Sequence, residues 1–271
     1  MNEKTVAAIH LFYEPAEHET ATLLETAIQR SVDLLQQRWG LPVPEDCRVY
    51  VMTSWVKFFF HPASWPMKIY LGLFFPIIAY RARLVWPLAA GWTTTLGKRR
   101  VVGVKPPRLM ETADRSLGQL LFQPGLEMDD KVTSTACHEL THAFTMHLRP
   151  PTWLNEGLAT LAMEYYLNTR VVLPDTVNQL GALPSKYLGR GVEQMRTHNK
   201  QWFLLQYVRG YWLTRYIDET RPELLKTLLA KPLTNTALEE TLAAGYGKKV
   251  GRFWKEIDKE LIAFFCQPQA T

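Results

Sequence analysis

Apolar and polar positions along the chain change their period several times, and each change marks an element. From Thr20 to Trp39, residues Leu23, Leu24, Ala27, Ile28, Leu34 and Leu35 recur three and four apart. That spacing predicts a helix with one inward face, ended by Gly40-Leu41-Pro42. Val6 to Tyr13 reads as a strand, Arg48 to Met52 as a second, and Arg100 to Val104 as a third after the turn residues Leu96-Gly97-Lys98. Further on, Val132, Ala136, Leu140, Ala143 and Phe144 form a helical stripe that Pro150-Pro151 stops. Leu154, Leu158, Leu161 and Ala162 form another, and helices follow at about 200 to 218, 222 to 230, 236 to 244 and 248 to 265. Pro222 suits a first helical turn, and Thr236 with Glu239 reads as a capping box. Strands early and helices late predict an α+β chain with a small N-terminal mixed sheet and a mostly helical C-terminal half.

One stretch fits neither period. Between Asp46 and Glu111 there is no acidic residue, while ten basic ones run from Arg48 to Arg108. The whole chain carries +5, so this stretch at +10 leaves −5 on the remainder. It is also rich in aromatics, and its longest uncharged apolar run, Ile69 to Tyr80, is twelve residues with Pro76 inside. A bilayer span needs about 20 residues, so the run does not predict one. Two readings stand side by side. In one, residues 55–100 form a hydrophobic lid or insertion that touches an anionic membrane surface or a protein partner, leaving the chain peripherally membrane-associated. In the other they are core strands and a helix with basic edges. No nucleic-acid partner is expected, because these runs are too apolar for a groove that tracks phosphates.

Length and composition change the picture less. At 271 residues and 47% hydrophobic, the chain can bury a full core. Cys47, Cys137 and Cys266 are odd in number and far apart, which is no disulfide framework. The segment Met1-Asn2-Glu3-Lys4-Thr5 lacks the basic-then-apolar pattern of a secretory signal. Together these features predict a cytoplasmic location.

The candidate chemistry lies in His138-Glu139-Leu140-Thr141-His142 and Trp153-Leu154-Asn155-Glu156-Gly157. On a helix, residues four apart share a face, so His138 and His142 can offer two imidazole nitrogens to one tetrahedral Zn2+ ion. Glu139 is placed to work on a metal-bound water. Glu156, fourteen residues after His142, falls on the second stripe, which a tight turn through Pro150, Pro151 and Thr152 can fold back beside the first. It would supply an anionic third ligand and leave the fourth position open. Cys137 is turned about 100° from His138, as a packed thiol would be.

The pair HELTH and WLNEGLAT resembles the gluzincin zinc metallopeptidases, the thermolysin-like and aminopeptidase-like enzymes, and most of all their compact peptidase MA-like domains. The resemblance implies a zincin-like fold, His138, His142 and Glu156 as zinc ligands, and Glu139 as general base. Gln206 to Leu213 is similar to the helix that carries the family's transition-state tyrosine, which implies that role for Tyr207, with Tyr211 second. Two departures are visible: the spacing from His142 to Glu156 is shorter than in thermolysin, and Thr160 stands where thermolysin-like enzymes place an Asp that orients a ligand. The fold expected is therefore an N-terminal α+β part, 1–125, with a basic, aromatic insertion at about 55–97, and a helical part, 126–271, together forming one compact catalytic unit. The activity expected is zinc-dependent hydrolysis of a peptide or protein substrate. The alternative is a non-catalytic binding or regulatory protein on the same scaffold.

Overall fold

A computed structural model describes residues 1–113, 121–182 and 200–266. The chain is α+β, and it divides into two compact units, Met1–Phe144 with Ala162–Val171, and Thr145–Leu161 with Val172–Thr271.

The first unit is built on a five-stranded mixed sheet in the order β1-β2-β3-β5-β4. Its strands are β1 (Asn2–Val6), β2 (Ile9–Tyr13), β3 (Cys47–Val51), β4 (Gly91–Leu96) and β5 (Arg99–Val104). The three inner strands β2, β3 and β5 are parallel, and β1 and β4 close the two sides as antiparallel edges. The single strand expected over Val6 to Tyr13 is instead a hairpin, with Val6 opposite Ile9 and a two-residue turn at Ala7-Ala8. Both alanines hold positive φ, 48° and 65°, a conformation usually signalled by Asn or Gly. Helix α1 (His18–Trp39) packs against β2, whose Ile9, Leu11 and Tyr13 are buried, and ends at Gly40 in the left-handed conformation. On β3 and β5 the other parity, Tyr50 and Val101, joins Met52, Phe58 and Leu96 in an aromatic-edged cluster with Phe12, Phe59, Trp86 and Trp92.

The basic, aromatic insertion folds as three short helices, α2 (Trp55–Phe60), α3 (Trp65–Leu73) and α4 (Phe75–Val85), before the chain enters β4. Trp55 stacks on Phe75 at 5.6 Å and ties α2 to the start of α4. Lys105, just past β5, is buried, donates from Nζ to the Trp86 carbonyl and lies 4.5 Å over the Trp86 ring. Burial pushes its ammonium down to about 8. Helix α5 (Pro107–Ala113) follows.

Helix α6 (Met128–Thr145) carries the first motif, and its stripe Val132, Ala136, Leu140, Ala143 and Phe144 is fully buried. A short 3-10 turn, Met146–Leu148, and Arg149 in the left-handed conformation (φ 49°) bring the chain round to Pro150-Pro151. Helix α7 (Thr152–Leu167) then starts with Leu154 and Asn155 N–H groups donating to the Pro151 carbonyl, both at 3.0 Å.

The second unit is helical: α8 (Lys200–Thr220), α9 (Pro222–Leu229), α10 (Asn235–Gly245) and α11 (Val250–Cys266), with a 3-10 segment at Pro174–Ala182. Pro222 occupies the first turn of α9 as expected. The cap of α10 is Thr234, whose side chain accepts from the Ala237 N–H at 3.2 Å, so Thr236 lies inside the helix. The turn residues Gly181, Pro184, Gly189 and Gly191 in Pro174 to Arg196 suit a loop; its first part is the 3-10 segment Pro174–Ala182, held by Trp212 Nε1 donating to Thr176 Oγ1 at 3.0 Å, while Pro184, Gly189 and Gly191 lie outside the described residues. Among the described residues no helix is long and apolar enough to cross a membrane.

Candidate metal site

The four-residue offset does what helix geometry requires of it. His138 and His142 sit one turn apart on α6 with their Nε2 atoms 3.1 Å from each other and their ring planes at 89°. Two nitrogens of one tetrahedral zinc, each about 2.0–2.1 Å from the metal, lie about 3.3 Å apart, so the pair is already spaced for a shared ion.

The first turns of α7 position Glu156. Thr145, the last residue of α6, donates from Oγ1 to Asn155 Oδ1 at 3.3 Å, which joins the end of one helix to the start of the next. Farther along, Cys137 Sγ lies 3.6 Å from the Ala162 carbonyl. These two contacts hold the helices side by side over more than one turn. His138, His142 and Glu156 come together, with ligand atoms all within 4.8 Å of one another. Two neutral imidazoles and one carboxylate are a donor set that suits zinc, so the residues fit the metal expected of them.

Glycine makes the placement of α7 against α8 possible. A Cβ on Gly157, next to Glu156, would lie 2.2 Å from both the Gly210 carbonyl oxygen and Thr214 Oγ1, and a Cβ on Gly210 would lie 2.2 Å from the Trp153 carbonyl oxygen. The two backbones touch where side chains would otherwise stand. The same contact is braced by Arg209, which is buried, donates to Asp258 Oδ2 at 2.6 Å and lies 6.0 Å from the Trp254 ring, which in turn packs on Trp153 at 5.8 Å. Burial lowers the Arg209 guanidinium to about 10, against the pull of Asp258.

Glu139 has its own support, which the sequence did not reveal. Its side chain is buried, and Thr93 on β4 donates from Oγ1 to Glu139 Oε2 at 2.5 Å while lying 2.9 Å from the Glu139 carbonyl oxygen. Two residues earlier, a Cβ on Gly91 would stand 2.5 Å from Glu139 Cγ. The third strand read from the sequence, Arg100 to Val104, is β5, an inner strand paired on both sides, and the edge strand that meets Glu139 is β4.

Tyr207 is half-buried on α8. Tyr211, one turn on, is buried, with its hydroxyl accepting from Arg215 at 3.0 Å and its ring packed on Trp212 at 4.9 Å. Of the two, only Tyr207 keeps surface to offer a ligand. Thr160 is in the core, and its Oγ1 has no hydrogen-bond partner among the described residues. His147 is exposed on the 3-10 turn and is not one of the clustered residues. Cys47 and Cys137 are buried, and burial pushes both thiols up to about 12, which makes them packing groups rather than nucleophiles. No protein-family model matches the sequence, and comparison with curated proteins gives no match.

Proposed function

We propose that the chain is a zinc metallopeptidase of the gluzincin kind on a zincin-like fold, with His138, His142 and Glu156 as ligands and Glu139 as general base. The observation that carries this reading is the convergence of two imidazoles and a carboxylate within 4.8 Å, with a second, buried carboxylate one residue from the first ligand. Zinc in that set supplies Lewis acidity and brings the pKa of water to about 7.

The chain's own groups do the rest. Glu139 accepts the proton of the attacking water and returns it to the leaving amine, and the Thr93 hydroxyl holds its carboxylate in one rotamer while it does so. β4 is an edge strand, and its outer main-chain groups suit an extended peptide added as a further strand, which brings the peptide past Glu139. Gly91 keeps that strand close to the carboxylate. Tyr207 is the phenol assigned to the developing oxyanion.

The rival reading, a binding or regulatory protein on the same scaffold, needs no base. The hydrogen bond from Thr93 and the backbone space at Gly91 are both built around Glu139, which favours the enzyme. Glu139→Gln separates the two. It is expected to keep metal binding and to lower hydrolysis of a mixed peptide library by about 10²–10⁴-fold. Unchanged turnover would remove Glu139 from the role of base, and a zinc-loaded wild type that cleaves no peptide would favour the rival.

A further inference from the structure

Surface helices of a folded chain normally turn one apolar stripe inward and a polar face outward. α3 and α4 do not. In the two helices only Leu71 and Ala82 are buried. Outward stand Trp65 and Leu73, both 74% exposed, Tyr80 at 66%, and Ile69, Tyr70 and Ile77. Of the thirteen exposed large hydrophobic residues among those described, ten lie between Trp65 and Val85. Such concentration on two consecutive helices, joined at Phe74 alone, is not the scatter that ordinary surfaces carry.

What covers this face is decided by charge and length. No acidic residue occurs between Asp46 and Glu111. Of the seven basic groups elsewhere in the stretch, four are ion-paired, Arg48 and Arg99 with Asp46, Lys57 with Glu14 and Arg108 with Glu17, and two donate to backbone carbonyls, Arg100 to Glu45 and Lys105 to Trp86. The three on α3 and α4 themselves, Lys68, Arg81 and Arg83, make no ion pair among the described residues. A second copy of the chain would set the same unpaired cations against their own kind. An anionic surface would neutralise them. No helix among the described residues is long and apolar enough to cross a membrane, and Lys68, Arg81 and Arg83 interrupt the apolar surface of α3 and α4, so these helices can enter an interface but not span it. Trp and Tyr beside Lys and Arg are the side chains that settle at the headgroup boundary.

We propose that the α3–α4 segment docks the protein onto an anionic lipid bilayer, with Trp65, Leu73, Ile77 and Tyr80 in the acyl boundary and Lys68, Arg81 and Arg83 among the headgroups. The assignment rests on that segment alone and holds whatever the chemistry at His138, His142 and Glu156.

The test is flotation of the full chain with vesicles of phosphatidylcholine containing about 30% phosphatidylserine, against vesicles of phosphatidylcholine alone. Binding to the anionic vesicles is expected at 0.1 M salt, at least about tenfold stronger than to neutral ones and released by 0.5 M salt. Leu73→Glu with Ile77→Glu, and separately Arg81→Gln with Arg83→Gln, should each weaken it about tenfold or more while leaving the thermal midpoint unchanged, since all four positions are exposed. Failure to float with anionic vesicles at 0.1 M salt would overturn the proposal. So would flotation that both double variants leave intact, or a dimer in solution that the Leu73/Ile77 variant dissolves.

Discussion

The α6–α7 pair and the α3–α4 segment are both apolar and helical, yet they put their side chains to opposite use. In α7, Trp153, Leu154, Leu158, Ala159, Leu161 and Ala162 are all buried, and the helix is covered closely enough for glycine backbones to touch. In α3 and α4, one residue of each is buried, Met67, Lys68, Ile78 and Ala79 are half-buried, and the others are exposed. The difference lies in what surrounds them. The motif helices use apolar packing to hold a buried histidine, a half-buried histidine and a half-buried carboxylate at fixed spacing. The α3–α4 segment offers an equal greasiness to whatever lies outside the protein, with cations beside it and no acids. Apolar composition by itself therefore says nothing about burial; the charge pattern around it does.

That contrast can be broken most severely at the tight side. Gly210→Ala forces a Cβ against the Trp153 backbone, with no flexible side chain to yield, and should cost more than about 3 kcal/mol in denaturant unfolding. A matched pair of leucines sharpens it. Leu158→Ala, at a fully buried position, should cost about 3 kcal/mol, whereas Leu73→Ala, 74% exposed, should stay within about 0.5 kcal/mol. Equal losses at the two positions would show that α3 is packed after all. The support of Glu139 predicts a smaller, catalytic effect. Thr93→Val should lower kcat on a peptide substrate about tenfold, or about 1.4 kcal/mol, with KM little changed, and Thr93→Ser should restore it. A loss that Ser does not rescue would assign Thr93 to packing alone.

Much of this was legible in the sequence where the needed information is local. His138, His142 and Glu156 come together because a four-residue offset and a proline-led turn specify helix faces within twenty residues. α1 and the C-terminal helices follow from period, with Gly40 and Pro222 marking an end and a start, although the cap of α10 is Thr234 and not the expected Thr236. What was missed depends on sequence-distant or chemically silent features. The β1–β2 turn is made by two alanines, which carry no turn signal, so one strand was read where there are two. β4 has the sequence Gly-Trp-Thr-Thr-Thr-Leu without apolar alternation, and was absorbed into the insertion. Thr93 therefore went unnoticed as the partner of Glu139, 46 residues away. Two strand positions beside Glu139, Gly91 and Thr93, become meaningful only when the sheet order makes β4 an edge. In α3 and α4 the apolar run was plain, but its exposure was not, because an all-round apolar helix has no face from which direction can be read.

The central claim is that His138, His142 and Glu156 form one metal site. Elemental analysis of purified wild type, His142→Ala and Glu156→Ala tests it most directly. About one zinc per chain in the wild type, lost or much weakened in both variants while their folds remain intact, is the predicted result. A wild type that takes up no zinc on reconstitution, or a Glu156→Ala variant that holds zinc as tightly as the wild type, would contradict it.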